Sequence, residues 1–246
     1  MEHTIFTALV AAHIVTGSTA AIAFWIPVVG RKGGAAHRMA GRVFVVAMLF
    51  TGAFAVGMSG LTILDPMGTH PHLVELFEPA FVRGVFGWLM LHLGVLTINL
   101  AWYGWLCAQH RAQRAPMREW RNIALQPLLL AAAVNCAVQG VLLREPLLLG
   151  LAVIGVATVG TNVWFLYKPV AGPKDWLKEH LKALVGAGIS VYTAFMAFGS
   201  VRLLPELALN PVMWAVPAAS GIAFILWYWR TIDRQTALHR RPPAKA

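Results

Sequence analysis

The sequence predicts an all-α protein: a polytopic membrane helix bundle of seven transmembrane helices, with the N-terminus outside and the C-terminus inside. Three observations carry that prediction. Of 246 residues, 58% are hydrophobic and 12% charged, with a mean hydropathy of +0.65, far from the balance of a soluble domain. The apolar residues come in runs of about twenty, long enough to cross a hydrocarbon core of roughly 30 Å. The basic residues fall in alternate connections between those runs.

The first run covers residues 4–29. Its leading residues, Met1-Glu2-His3-Thr4, lack the basic start of a signal peptide, and the apolar stretch through Val29 is too long for one, so it reads as a retained helix. The other runs are 39–63, 84–107, 122–143, 147–167, 181–204 and 211–230. Breaker residues separate them: Gly33-Gly34, Asp65-Pro66, Ala171-Gly172-Pro173 and Asn210-Pro211. Between the fourth and fifth only Leu143-Arg144-Glu145-Pro146 intervenes, so the topology downstream depends on that hairpin reaching the surface. Residues 1–230 form a single transmembrane domain in this reading, and 231–246 a basic cytoplasmic tail.

Orientation follows from the cations. Arg31, Lys32, Arg38 and Arg42 lie in or beside the first loop, Arg111, Arg114, Arg118 and Arg121 about the third, and Lys168, Lys174, Lys178 and Lys182 about the fifth. Arg230, Arg234, Arg240, Arg241 and Lys245 follow the last run, and only Arg83, Arg144 and Arg202 fall on the other side. An odd number of spans with the N-terminus out is what this asymmetry requires. The net charge of +10 therefore belongs to membrane topology and not to nucleic-acid binding. Trp25, Trp105, Trp164, Trp176, Trp227 and Trp229 fall near the inner surface, and Trp88 and Trp214 near the outer, as interfacial anchors do. Cys107 and Cys136 show no metal-type spacing.

Function in such a chain is sought among polar side chains at membrane depth, which are costly when they face lipid. His13 and His92 lie nine and eight residues down helices that run the same way, about 12–14 Å at 1.5 Å per residue, so they share a depth. Asn99 projects from the same face as His92. Asn135 and Gln139, four residues apart, give the fourth helix a polar face. His37 and His180 each follow a basic loop and precede the second and sixth runs, the hint of a repeated two-helix unit. In the outer loop, Thr69-His70-Pro71-His72 has a metal-like look but is the commoner pattern of a solvated turn. There is no Cys-x-x-Cys-His run for covalent haem, no His-Glu-x-x-His, no phosphate loop and no nucleophile elbow.

The stretch from His13 to Gly17, then Gly30-Arg31-Lys32-Gly33-Gly34-Ala35-Ala36-His37-Arg38-Met39-Ala40-Gly41-Arg42, resembles the N-terminal signature of a bacterial family of predicted multi-pass membrane proteins of unknown function. Glu179-His180 and Tyr192-Thr193-Ala194-Phe195 resemble that family's later segment. The resemblance implies a helical bundle in the cytoplasmic (inner) membrane and singles out His13, His37, Arg38 and His180. It supplies no reaction.

Neutral imidazoles at one level on facing helices suit the two axial positions of a b-type haem. The expectation is thus a haem-binding electron-transfer protein ligated by His13 with His92 and by His37 with His180. Arg38 or Lys182 would meet a propionate, and a redox protein or quinone would be the partner beyond the lipid bilayer. The alternatives are a small-molecule or proton-coupled transporter or channel with Asn99, Asn135 and Gln139 as its polar path, and a non-catalytic membrane sensor or assembly subunit.

Overall fold

A computed structural model describes residues 2–199 and 211–239. It contains helices and no strand among the described residues, and seven of its helices are long and apolar enough to cross a membrane. Helix α1 (Glu2–Val29) and α2 (Ala35–Leu64) form the first hairpin. A short α3 (Pro66–Thr69) and a tight turn at Pro71–Leu73 cross the opposite end. Next, α4 (Pro79–Val82) runs through a widened stretch, Arg83–Leu89, into α5 (Met90–His110), making one continuous span. After these come α6 (Trp120–Leu143), α7 (Pro146–Tyr167), α8 (Asp175–Ala194, continued by a wide turn at Phe195–Gly199) and α9 (Pro211–His239).

The doubtful hairpin between α6 and α7 is real. Arg144 takes the left-handed conformation (φ 58°), Glu145 N donates back to Gly140 O at 2.9 Å, and Pro146 opens α7 where a missing N–H costs nothing. At the other end of α6, Glu119 caps the helix by accepting from the amides of Arg121 and Asn122. Arg118 and Arg114 close the C-terminus of α7 by donating to the carbonyls of Leu166 (2.6 Å), Phe165 (2.9 Å) and Lys168 (2.5 Å).

Two boundaries move appreciably from the sequence reading. Helix α8 begins at Asp175 and not at 181, because Asp175, Lys178, Glu179 and Lys182 lower the local hydropathy although all four form ion pairs. Helix α9 runs nine residues past 230, held by buried Ile232 and the Asp233–Lys178 pair at 2.5 Å, so 231–239 continues the helix. The predicted end of the sixth run at 204, and Arg202, Glu206, Asn210, Arg240, Arg241 and Lys245, lie outside the described residues.

Helix α5 is the axis of the molecule: α2, α6 and α8 all pack on it. Small residues allow the closest of these approaches. A Cβ on Gly52 of α2 would meet Gly94 O of α5 at 3.0 Å, and one on Gly104 of α5 would meet Leu184 Cδ2 of α8 at 2.6 Å. Helix α1 packs mainly on α2, with a smaller contact to α8 through Phe24 against Gly188 and the Tyr192 hydroxyl donating to Ala21 O at 2.8 Å.

Candidate functional site at the basic end

The polar interior of the bundle is concentrated toward the end that carries the basic loops, where the first turns of α8 lie against α5. Successive residues of α5 hold successive residues of α8. The Tyr103 hydroxyl donates to Glu179 Oε2 at 2.9 Å, and His180 Nδ1 lies 2.9 Å from Gly104 O. A carbonyl only accepts, so Nδ1 of His180 carries the proton and Nε2 keeps its lone pair.

One turn on, Lys182 faces the same way as Glu179 and spends its three donors on Glu179 Oε2 (2.5 Å), Thr161 Oγ1 (3.0 Å) and Asn162 Oδ1 (3.1 Å). Asn162, fully buried on α7, passes the chain onward by donating to Asn99 Oδ1 at 3.0 Å and Gln126 Oε1 at 3.4 Å. Asn99 donates to Leu125 O, Gln126 to Asn122 O and Asn122 to Met117 O. A Glu–Lys pair and four carboxamides thereby tie α5, α6, α7 and α8 together in a region where each polar group needs a partner.

His37, at the start of α2, lies within electrostatic reach of His180. Its ring also meets the carbonyl of Pro27, and its Nδ1 is buried with no hydrogen-bond partner. His37 and His180 thus share the basic end, near the starts of α2 and α8, but no hydrogen bond or ring contact joins them among the described residues. The structure does not bring His13 and His92 together. His13 Nδ1 donates to Thr51 O of α2 at 3.0 Å, whereas His92, fully buried, donates from Nε2 to Leu151 O of α7 at 3.1 Å and rests on Gly155. Helix α2 lies between α1 and α5, and the α5 face carrying Gly94 meets α2 while the face carrying His92 meets α7. The two rings bond to different helices, so they share no common axis.

Arg38 turns back to donate to Gly33 O at 2.5 Å, and Lys182 is committed to the network, so neither expected propionate partner is free of a protein bond. Of the expected polar path only Asn99 joins the network. Asn135 and Gln139 are half-buried farther along α6, and Gln139 Oε1 lies toward Gly84, at the opposite end. Glu179, Tyr103, Gln126 and Asn122 were not among the expected site residues. Their signal was present in the four-residue spacing of Asn122 and Gln126 and the three-residue spacing of Glu179 and Lys182, but a helix begun at 181 leaves Glu179 in a loop.

At the opposite end, His70 Nδ1 lies 3.0 Å from Thr69 Oγ1, its ring packs between Phe6 and Phe86 at 5.1 and 5.0 Å, and His72 is 6.0 Å away. Among the described residues no three His, Cys, Asp or Glu side chains converge to hold a metal ion.

The class of protein defined by this fold is a multi-pass α-helical membrane protein with a buried polar cluster near its basic end. No protein family, curated protein or solved structure matches the chain.

Proposed function

We propose that this protein is a b-type haem-binding redox protein of the cytoplasmic membrane, with its iron between His37 and His180 at the basic, inward-facing end. The observation that carries the reading is the state of the ring nitrogens of two histidines at one end of the bundle. His180 is fixed by Nδ1 on the Gly104 carbonyl, the arrangement that leaves Nε2 as a donor to a metal, and at the same end of the bundle His37 keeps a buried ring nitrogen without a partner. The residues leading to His37, Gly33-Gly34-Ala35-Ala36, carry no side chain larger than a methyl group. When bound, haem would supply one-electron chemistry, and this chain would supply the two imidazoles and a cationic surface for the propionates. The mid-bilayer histidines are assigned a structural role in this reading, as cross-links from α1 to α2 and from α5 to α7.

The visible spectrum of protein purified from haem-supplied cells tests this. A Soret band and a reduced α band should be present in wild type, vanish in His180→Ala and His37→Ala, and persist in His13→Ala. A colourless wild-type preparation refutes the reading.

A second reading, ion-coupled transport of a small polar solute, is favoured by the Glu179–Lys182 pair and its carboxamide chain, since charged groups at membrane depth often mark solute or ion pathways. Uptake into vesicles that fails in Asn162→Leu while a colourless protein still assembles would favour it.

A further inference from the structure

The lipid-facing surface carries a groove of about 320 Å³ between α2, α5 and α6, near the basic end. Leu49 of α2, Ile98 and Trp102 of α5, and Leu125 and Leu128 of α6 form apolar walls, and Trp120 and Arg121 stand at its end toward the basic loops. We propose that this groove is a binding site for an anionic phospholipid, with one acyl chain between α5 and α6 and the headgroup phosphate on Arg121.

The charge at the mouth distinguishes this groove from an ordinary lipid-facing surface. Arg114 and Arg118 spend their guanidinium groups on the carbonyls ending α7. Arg121 makes no side-chain hydrogen bond or salt bridge among the described residues, and its guanidinium stands 5.5 Å over the Trp120 ring. Arg42 is likewise without such a bond, and it lies on the same face of α2 as Leu49, two turns nearer the basic end.

The one acid beside the mouth is already engaged. Burial pushes the Glu119 carboxyl up, but Trp102 Nε1 at 2.8 Å, the amides of Arg121 and Asn122 and the nearby Arg121 charge outweigh it and hold the group below its usual range. Its oxygens are turned to Trp102 and the helix N-terminus and form no salt bridge with Arg121, so the guanidinium keeps its donors for an incoming phosphate. Trp120, 74% exposed, sits where an indole meets the headgroup layer. The apolar walls start one turn deeper, at Leu125, as a lipid chain below its phosphate requires.

Intact protein exchanged into neutral detergent micelles with equal phosphatidylglycerol and phosphatidylcholine, then separated by size and analysed for bound lipid, tests this. Wild type should retain phosphatidylglycerol about fivefold over phosphatidylcholine, the preference expected of one basic contact near a surface. Arg121→Gln should reduce that ratio toward one. Leu128→Trp, which keeps every charge but fills the groove, should lower retention of phosphatidylglycerol, and Arg144→Gln at the opposite end should change nothing. Equal retention of the two lipids by wild type overturns the proposal. So does an equal loss in Arg121→Gln and Arg144→Gln, or full retention by Leu128→Trp.

Discussion

Helices α1 and α5 belong to apolar runs of similar length, and counting residues puts His13 and His92 at one depth, yet they occupy opposite situations. Only 6% of the most apolar stretch of α1 is buried within the protein, against 56% for the span containing α5. Helix α1 is fastened at the edge by a His13 bond to a backbone carbonyl and a Thr16–Thr51 hydroxyl contact at 2.9 Å. Helix α5 holds four neighbours, α2, α6, α7 and α8, and contributes Tyr103, Gly104 and Asn99 to the polar cluster. The contrast teaches that depth and neighbourhood are separate coordinates. The first follows from counting residues along a helix, and the second is decided by which faces carry the small residues that let helices touch.

The comparison is broken most severely at the Glu179–Lys182 pair, whose side chains are only 14% and 15% exposed. Lys182→Met leaves a carboxylate at membrane depth with the Tyr103 hydroxyl alone, and should cost about 3–5 kcal/mol, read from denaturant unfolding in micelles. Glu179→Gln combined with Lys182→Met removes both charges and should recover much of that loss. A double variant as unstable as the single would mean that the pair contributes through packing and not through charge.

Next in size is the contact of α5 with α7. A Cβ on Gly155 would fall 2.4 Å from His92 Cε1 and 3.0 Å from Ala133 Cβ, so Gly155→Ala must displace a fully buried ring and should cost about 1–3 kcal/mol. The matched change at the edge, Gly57→Ala, would meet Leu9 Cδ1 at 3.4 Å, an ordinary contact, and should be near neutral. Equal effects at the two glycines, measured by thermal unfolding, would erase the distinction between the centre and the edge.

These contrasts also show what was legible in the sequence. Seven spans were legible because their apolar length is a one-dimensional property, and the breakers at Gly33-Gly34 and Arg144-Glu145-Pro146 fall where the chain turns. His37 and His180 could be named because both begin helices at the same end. The partnership of His13 with His92 could not be tested by counting, since one turns to Thr51 and the other to Leu151. The carboxamide chain was partly visible: Asn99 stood out as a polar residue in an apolar helix, but Glu179 was hidden because its own charge, with Lys178 and Asp175, masks the start of α8.

A smaller effect is expected at the α1–α2 hydroxyl contact. Thr51→Val keeps the shape of the side chain and removes the bond to Thr16 while leaving Thr51 O available to His13. The loss should be about 0.6 kcal/mol, the average for a hydrogen bond between membrane helices. A loss several times larger would show that α1 is held more firmly than its exposure suggests.

The most gradual effect belongs to the end opposite the polar cluster, outside the spans. Burial against Phe6 and Phe86, with the neighbouring His72, pushes His70 down to about 4 from an ordinary value of 6.5, and the carbonyl of Pro66 only partly opposes this. Between those values the unfolded chain takes up a proton that the folded chain refuses, so stability is full above pH 6.5 and declines as pH falls toward 4. Thermal unfolding in micelles should show that decline, and His70→Gln, which cannot titrate, should flatten it. The Thr69 contact at 3.0 Å holds the ring in place without supplying a counter-charge, so a decline that survives His70→Gln would have to come from another group. Because water reaches this loop more readily than it reaches Glu179, the full fall across the window should stay below the cost of Lys182→Met, and the reverse order would place the stronger electrostatic constraint at the wrong end of the bundle.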